Sequence, residues 1–199
     1  MIRAMPLSFA AKPTCTGDRV RLRPVSVADV PDMVKALRDP ESTRLTGTHA
    51  TFTAEQLRRW AATRADQADR LDLTIIELAT GDYAGEVVLN NLDVPNRACS
   101  LRISLAGPEF FGRGLGSEAI RLVLAHAFAT GVHRVALEVY DFNPRARHVY
   151  AKLGFRHEGT LRQALCWEGE WIDAHVMSIL APEWPAWPDL GSPRSTPAT

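Results

Sequence analysis

The run Phe110-Phe111-Gly112-Arg113-Gly114-Leu115-Gly116-Ser117-Glu118-Ala119 concentrates residues able to do chemistry. Three glycines at alternate positions follow a strand-like stretch, Leu101–Leu105, and lead into an amphipathic helix. Glycine lets backbone approach a ligand closely and take positive φ at little steric cost. A helix start presents unsatisfied N–H groups at the positive end of its dipole, which suits an anion. The pattern predicts a site for a phosphate-bearing molecule, with Arg113 pointing from the loop as a further cation. A nucleotide P-loop requires Lys-Ser/Thr after its last glycine, but Ser117-Glu118 stands here. A dinucleotide fold requires G-x-G-x-x-G and an acid about twenty residues on. Gly112, Gly114 and Gly116 instead give G-x-G-x-G; Glu138 lies near the right distance, but a single βαβ unit surrounds it. Both readings are disfavoured.

Other chemistries leave weaker traces. The six histidines show no HxxxH or HxxH spacing and no accompanying carboxylates, so no metal is expected. No G-x-S-x-G elbow occurs. Cys15, Cys99 and Cys166 are far apart and odd in number, which favours free thiols in a reducing compartment. A formal net charge of zero argues against a global field for nucleic acid or membrane. No apolar run approaches the ~20 residues of a membrane span, and Met1–Thr16 lacks the apolar core of a signal peptide. A cytoplasmic protein is expected.

The elements that must position the glycine stretch follow from periodicity and punctuation. At 199 residues a single domain is the economical reading. A loose leader, residues 1–15, precedes the domain over 16–184; a proline-rich tail, 185–199, is expected to be mobile, though Trp184 and Trp187 have the means to dock. Arg19–Pro24 alternates as an edge strand. Ser26 caps a helix reaching about Arg38, and Asp39–Thr51 reads as a loop. Thr53-Ala54-Glu55-Gln56 has the capping-box spacing and opens a helix towards Asp69. Leu71–Ala79, Gly85–Leu89 and Cys99–Leu105 form a meander. A helix over Ser117–Thr130 ends at Gly131, Val135–Tyr140 is a strand, and Asn143 caps a helix with Pro144 at its first position. Two more strands, near Leu161–Trp167 and Trp171–Leu180, close the chain. The order β α α β β β α β α β β predicts an α+β domain with a mixed sheet.

That order, with the glycine stretch, Asn143-Pro144-Arg145-Ala146-Arg147-His148-Val149-Tyr150-Ala151-Lys152-Leu153-Gly154-Phe155, Trp171-Ile172-Asp173 and Met177-Ser178-Ile179-Leu180, resembles the GCN5-related N-acetyltransferases (GNAT). The branch it resembles holds the bacterial ribosomal-protein N-terminal acetyltransferases. Two positions depart from the family pattern: Phe111 replaces the usual Gln or Arg, as is common in the branch, and Ala146 replaces a frequent serine.

The resemblance implies a three-layer, mostly antiparallel sheet with splayed central parallel strands, acetyl-coenzyme A as cosubstrate, and direct transfer to a primary amine in a ternary complex. The acceptor is either a protein N-terminus or a small molecule, and a homodimer is compatible with the family. The amides from Phe111 through Gly112, Arg113, Gly114, Leu115 and Gly116 to Ser117 are expected to hold the pyrophosphate. Ile103, Ser104 and Leu105 run beside the pantetheine arm. Asn143, Arg145 and Tyr150 complete the cofactor contacts. A neutral amine is needed for attack, so a base must take its proton and an acid must protonate the thiolate. Tyr150 matches the family's acid position. For the base, Glu138, Glu86, and Ser104 or a bridged water remain open. A non-catalytic acyl-coenzyme A sensor is the alternative class, because cradling a pyrophosphate does not require transfer.

Overall fold

Alternating apolar residues and well-marked turns put most of the chain into one eight-stranded sheet. The computed structural model describes residues 7–184. Its elements are β1 (Cys15–Thr16), β2 (Val20–Pro24), α1 (Val30–Ala36), α2 (Pro40–Leu45), α3 (Ala54–Ala62), β3 (Leu71–Glu77), β4 (Tyr83–Asp93) and β5 (Ala98–Leu105). They continue with α4 (Leu115–Ala129), β6 (Arg134–Tyr140), α5 (Pro144–Lys152), β7 (Arg156–Trp167) and β8 (Glu170–Leu180). The strand order is β1-β2-β3-β4-β5-β6-β8-β7. Every neighbouring pair is antiparallel except β5 and β6, which α4 connects as one parallel crossover.

That pair opens almost as soon as it forms. Ala98, Cys99 and Ser100 pair with Arg134, Val135 and Ala136, and pairing stops there although both strands continue. β5 remains bonded to β4 as far as Leu105, and β6 to β8 as far as Tyr140. A wedge-shaped gap results, facing the glycine stretch.

Alternation assigns the two faces. Val20, Leu22, Leu71, Leu73, Ile75, Val87, Leu89, Val135, Leu137 and Val139 join Ile120, Val123 and Leu124 of α4 and Tyr150 of α5 in one buried core. On the opposite face Val25, Val30, Met33, Leu57 and Ala61 form a smaller cluster under α1 and α3, with Tyr83 against it. The helices thus make two outer layers around the sheet.

Three expectations need correction. Asp39–Thr51 is not all loop: Asp39 accepts a bond from Ser42 N at 2.7 Å and Pro40 sits in the first turn of α2, an N-cap and N1 pairing that forms even a short helix. The helix opened by Thr53 has its reciprocal cap with Gln56 but ends at Ala62, well before Asp69. The leader is anchored from Phe9 onward, since Phe9 is fully buried and its N–H reaches Ala68 O at 2.8 Å. Trp184 packs on Phe128, whereas Trp187 and the tail lie outside the described residues.

The α1–α3 layer is tied to the sheet by a buried carboxylate. Asp29, 3% exposed, accepts from both Arg23 guanidinium nitrogens, from Ser26 N and from Thr74 Oγ1 on β3. Deleting it strands a cation and two donors. An Asp29→Ala variant is therefore expected to lose about 3 kcal/mol of unfolding free energy, read as a lower urea midpoint at unchanged slope. A loss below about 1 kcal/mol would show that water replaces the carboxylate at no great cost.

Candidate active site

The gap between β5 and β6 is bounded by residues of both faces. On β4, Glu86 stands opposite Thr74 of β3 and Ser104 of β5, so these three side chains form one row across the sheet. Ser100 pairs with Ala136, which puts Glu138 and Tyr140 of β6 on that same face. The face is the one under α1 and α3, away from α4.

Glu86 owes its surroundings to an irregularity. Ile75 faces Gly85, but Ile76 faces Tyr83, leaving Ala84 as an extra residue in β4. Such a bulge bends the strand and shifts the side-chain alternation by one. Gly85 has φ 137°, and a Cβ there would lie 2.1 Å from the carbonyl oxygen of Ser104. Glycine is required. Past the bulge, Tyr83 and Glu86 meet, and Tyr83 Oη donates to Glu86 Oε1 at 2.9 Å. Burial lifts the Glu86 carboxyl to about 7, partly opposed by the Tyr83 bond, with Asp72 and Asp29 nearby adding to the rise. Burial and the adjacent Glu86 likewise push the Tyr83 phenol upward. The two neighbouring acids are already matched: Asp29 with Arg23 and Asp72 with Arg70. Among the described residues, the Tyr83 phenol is the one hydrogen-bond partner of the Glu86 carboxyl.

Glu138 is exposed on β6, opposite Val176 of β8 and two strands from Glu86. Nothing buries it. Tyr150 lies on α5, on the other side of the sheet, 8% exposed and with its ring 5.8 Å from that of Phe155. Burial raises its phenol to about 12, so it stays protonated at neutral pH.

The glycine stretch continues from β5 through a short turn into α4. Gly112 and Gly114 have φ of 71° and 82°, the left-handed region that other residues enter at a cost. A Cβ on Gly112 would meet nothing within 4 Å, and one on Gly116 would sit 3.6 Å from Leu105 and 3.7 Å from Ile103. Gly114 is the N-cap of α4 and offers no side chain to its first turn. The uncapped N–H groups, open glycine backbone and adjoining gap fit a pyrophosphate with an extended arm. The expected residues are brought together there: Ile103, Ser104 and Leu105 border the gap, and Phe111 to Ser117 form the loop and helix start.

Asn143 makes its expected cap, and two other side chains carry duties beyond those expected. Asn143 Oδ1 accepts from Ala146 N at 3.1 Å, capping α5. Arg145 lies over the Phe111 ring at 4.3 Å, joining α5 to the glycine loop. Arg113 does not point freely from the loop: its guanidinium pairs with the buried Glu77 and donates to Glu109 O at 3.2 Å. Alternation could not reveal the Tyr83–Glu86 pair; the signal was Gly85 inside a strand pattern, a mark of bulges.

A family model described as an acetyltransferase (GNAT) domain matches residues 19–156. The chain belongs to that family. It is 26% identical over 175 residues to the uncharacterised N-acetyltransferase YoaA of Bacillus subtilis, covering 85% of this chain and 98% of that one. It is 34% identical to the proposed ribosomal N-acetyltransferase YdaF of the same organism, over 57% of this chain and 63% of the relative. With spermidine N(1)-acetyltransferase of Escherichia coli it shares 30% identity, over 57% of this chain and 60% of the relative. The chain thus spans about three-fifths of these last two. The crystal structure of spermidine N-acetyltransferase from Vibrio cholerae with CoA and spermine superposes with a TM-score of 0.77 at 21% identity, over 82% of this chain and 96% of that one. The protein is accordingly an acetyl-coenzyme A-dependent N-acetyltransferase. Among the described residues no helix is long and apolar enough to cross a membrane.

Because Gly85 has room for no side chain, Gly85→Ala is expected to displace Glu86 and Tyr83. It should lower kcat at least tenfold, and because the clash falls on the backbone of Ser104 and Leu105, it should weaken coenzyme A binding as well, read separately as Kd. Wild-type kcat in a folded Gly85→Ala protein would show that the bulge does not position the site.

Proposed function

We propose that the protein acetylates an α-amino group at a peptide N-terminus, with Glu86 as the proton acceptor and Tyr150 as the proton donor. The observation that carries this reading is Glu86: a half-buried carboxyl lifted to about 7, in the row Thr74–Glu86–Ser104 beside the strand gap. A base works best with a pKa near the operating pH. An α-amine, with a pKa near 8, gives up its proton to such a base more readily than a lysine or polyamine nitrogen near 10.4. Relatives named for ribosomal and for spermidine acetylation stand on either side of the question, and the match between Glu86 and an α-amine favours the first. Three free cysteines and a cytosolic cosubstrate fit a cytoplasmic enzyme.

The acyl donor supplies a thioester carbonyl and a thiolate leaving group. Amides of Phe111 to Ser117 hold its pyrophosphate at the start of α4, and β5 orients its arm along Ile103–Leu105. The acceptor enters from the α1–α3 face, where Glu86, directly or through one water, removes a proton from the amine as its nitrogen bonds the acetyl carbon. The carbon–sulfur bond breaks, and Tyr150, on the far side of the gap, protonates the sulfur. Glu86 then releases its proton to solvent and Tyr150 regains one. Ser104, paired with Glu86 across β4 and β5, would hold the bridging water.

The unprotonated form of Glu86 is the active one, so kcat is expected to rise about tenfold per pH unit below 7 and to level above it. Glu86→Gln should lower kcat by roughly 10²–10⁴ and flatten that limb. Tyr150→Phe should lower kcat with little change in coenzyme A affinity. A panel of short peptides with free and blocked N-termini, lysine side chains and spermidine, assayed by thiol release, tests the acceptor. Turnover of spermidine in preference to free N-termini would overturn the peptide reading, and an unchanged pH limb in Glu86→Gln would remove Glu86 as base.

A further inference from the structure

The glycine loop is held from outside by a closed ring of polar contacts. Glu118, in the first turn of α4 and 5% exposed, accepts from three successive backbone amides of the β1–β2 turn. Asp18 N lies at 2.8 Å, Arg19 N at 2.8 Å and Val20 N at 3.0 Å. Gly17 admits this approach, since a Cβ there would lie 2.7 Å from the carboxyl carbon. The turn so fixed presents Arg19, whose Nη1 donates to the carbonyl oxygen of Arg113 at 3.1 Å. Arg19 O in turn accepts from Leu78 N at 2.8 Å, beside Glu77, and Glu77 pairs with the Arg113 guanidinium. The ring runs from α4 through the β1–β2 turn and the end of β3 to the loop, and back to α4.

One bond in it bears on the cosubstrate. The Arg113–Gly114 peptide is trans, so its C=O and the N–H of Gly114 point in opposite directions. Arg19 draws the carbonyl towards the β1–β2 turn, and this turns the Gly114 N–H away from that turn. Glycine at 112 and 114, both at positive φ, leaves that peptide plane free to rotate when nothing holds it. We infer that Arg19, set by Glu118, is a positioning residue that presents the Gly114 N–H to the pyrophosphate of acetyl-coenzyme A.

The inference rests on the pyrophosphate reading of the loop, and wild-type binding of coenzyme A is its control. Arg19 is exposed, so Arg19→Met should fold. Calorimetric titration of that full-length variant with coenzyme A is expected to show Kd raised about tenfold, with a melting temperature close to wild type. The Gly114 amide resonance, shifted by coenzyme A in the wild type, should respond weakly in Arg19→Met, and Arg19→Lys should restore part of the affinity. A Kd within about twofold of wild type would overturn the proposal. So would a flattened salt dependence of Kd in Arg19→Met, the mark of a direct contact between Arg19 and a phosphate. Failure of the wild type to bind coenzyme A would instead remove the pyrophosphate reading beneath it.

Discussion

Everything at the site depends on two parallel strands that stop pairing. Past Ser100 and Ala136, β5 keeps its bonds to β4 and β6 its bonds to β8, but the edges facing each other have no partner strand. Backbone N–H and C=O groups in such positions require another partner. The amide-containing arm of coenzyme A is a partner of the right shape, because it can run as an extended chain between them. The gap also lies at the end of β5 that leads into the glycine loop. On the proposed reading, one departure from regular pairing would set both the direction of the arm and the place of the pyrophosphate.

The loop at the head of the gap must keep its amides exposed and yet well ordered, and these demands conflict. Capping by a side chain would satisfy the first turn of α4 and close it to a ligand; Gly114 supplies no such cap. Order comes from behind, through the three-amide grip of Glu118 on the β1–β2 turn and the Arg113–Glu77 pair. The acid standing where a P-loop would carry Ser or Thr thus has a structural reason. A single hydroxyl at 118 could not accept from all three amides.

Elements governed by local rules were legible in the sequence: the Thr53 and Asn143 caps, the alternation of β6 and the glycine loop. What was not legible depended on context. Strict alternation sends Tyr83 and Glu86 to opposite faces, and only the register slip between Ile75 and Ile76 unites them. Arg113 reads as a phosphate ligand until the fold brings Glu77 from thirty-six residues away in sequence. Asp39-Pro40 carried a helix start that a short polar context obscured, and Phe9 is an isolated aromatic whose burial no periodicity announces.

The division of the site between faces explains why cosubstrate and acceptor differ so much in legibility. Tyr150 and the helix start belong to the α4–α5 side, built from contiguous motifs that sequence alone can recognise. Glu86, Ser104 and Glu138 open towards the other side, whose rim comes from separate segments. Gly47, just after α2, crowds Tyr140, Arg44 lies over Phe142 at 4.5 Å, and His49 stacks on Trp167 at 4.9 Å. A cleft of about 280 Å³ opens there, lined by Arg44, Phe142, Trp167, Glu168, Glu170 and Ile172. Its charges come from a six-residue helix and a hairpin turn, short elements that can change side chains without disturbing the core. On the proposed reading an acceptor would reach Glu86 along this side, where these short elements rather than the core would screen its bulk and charge.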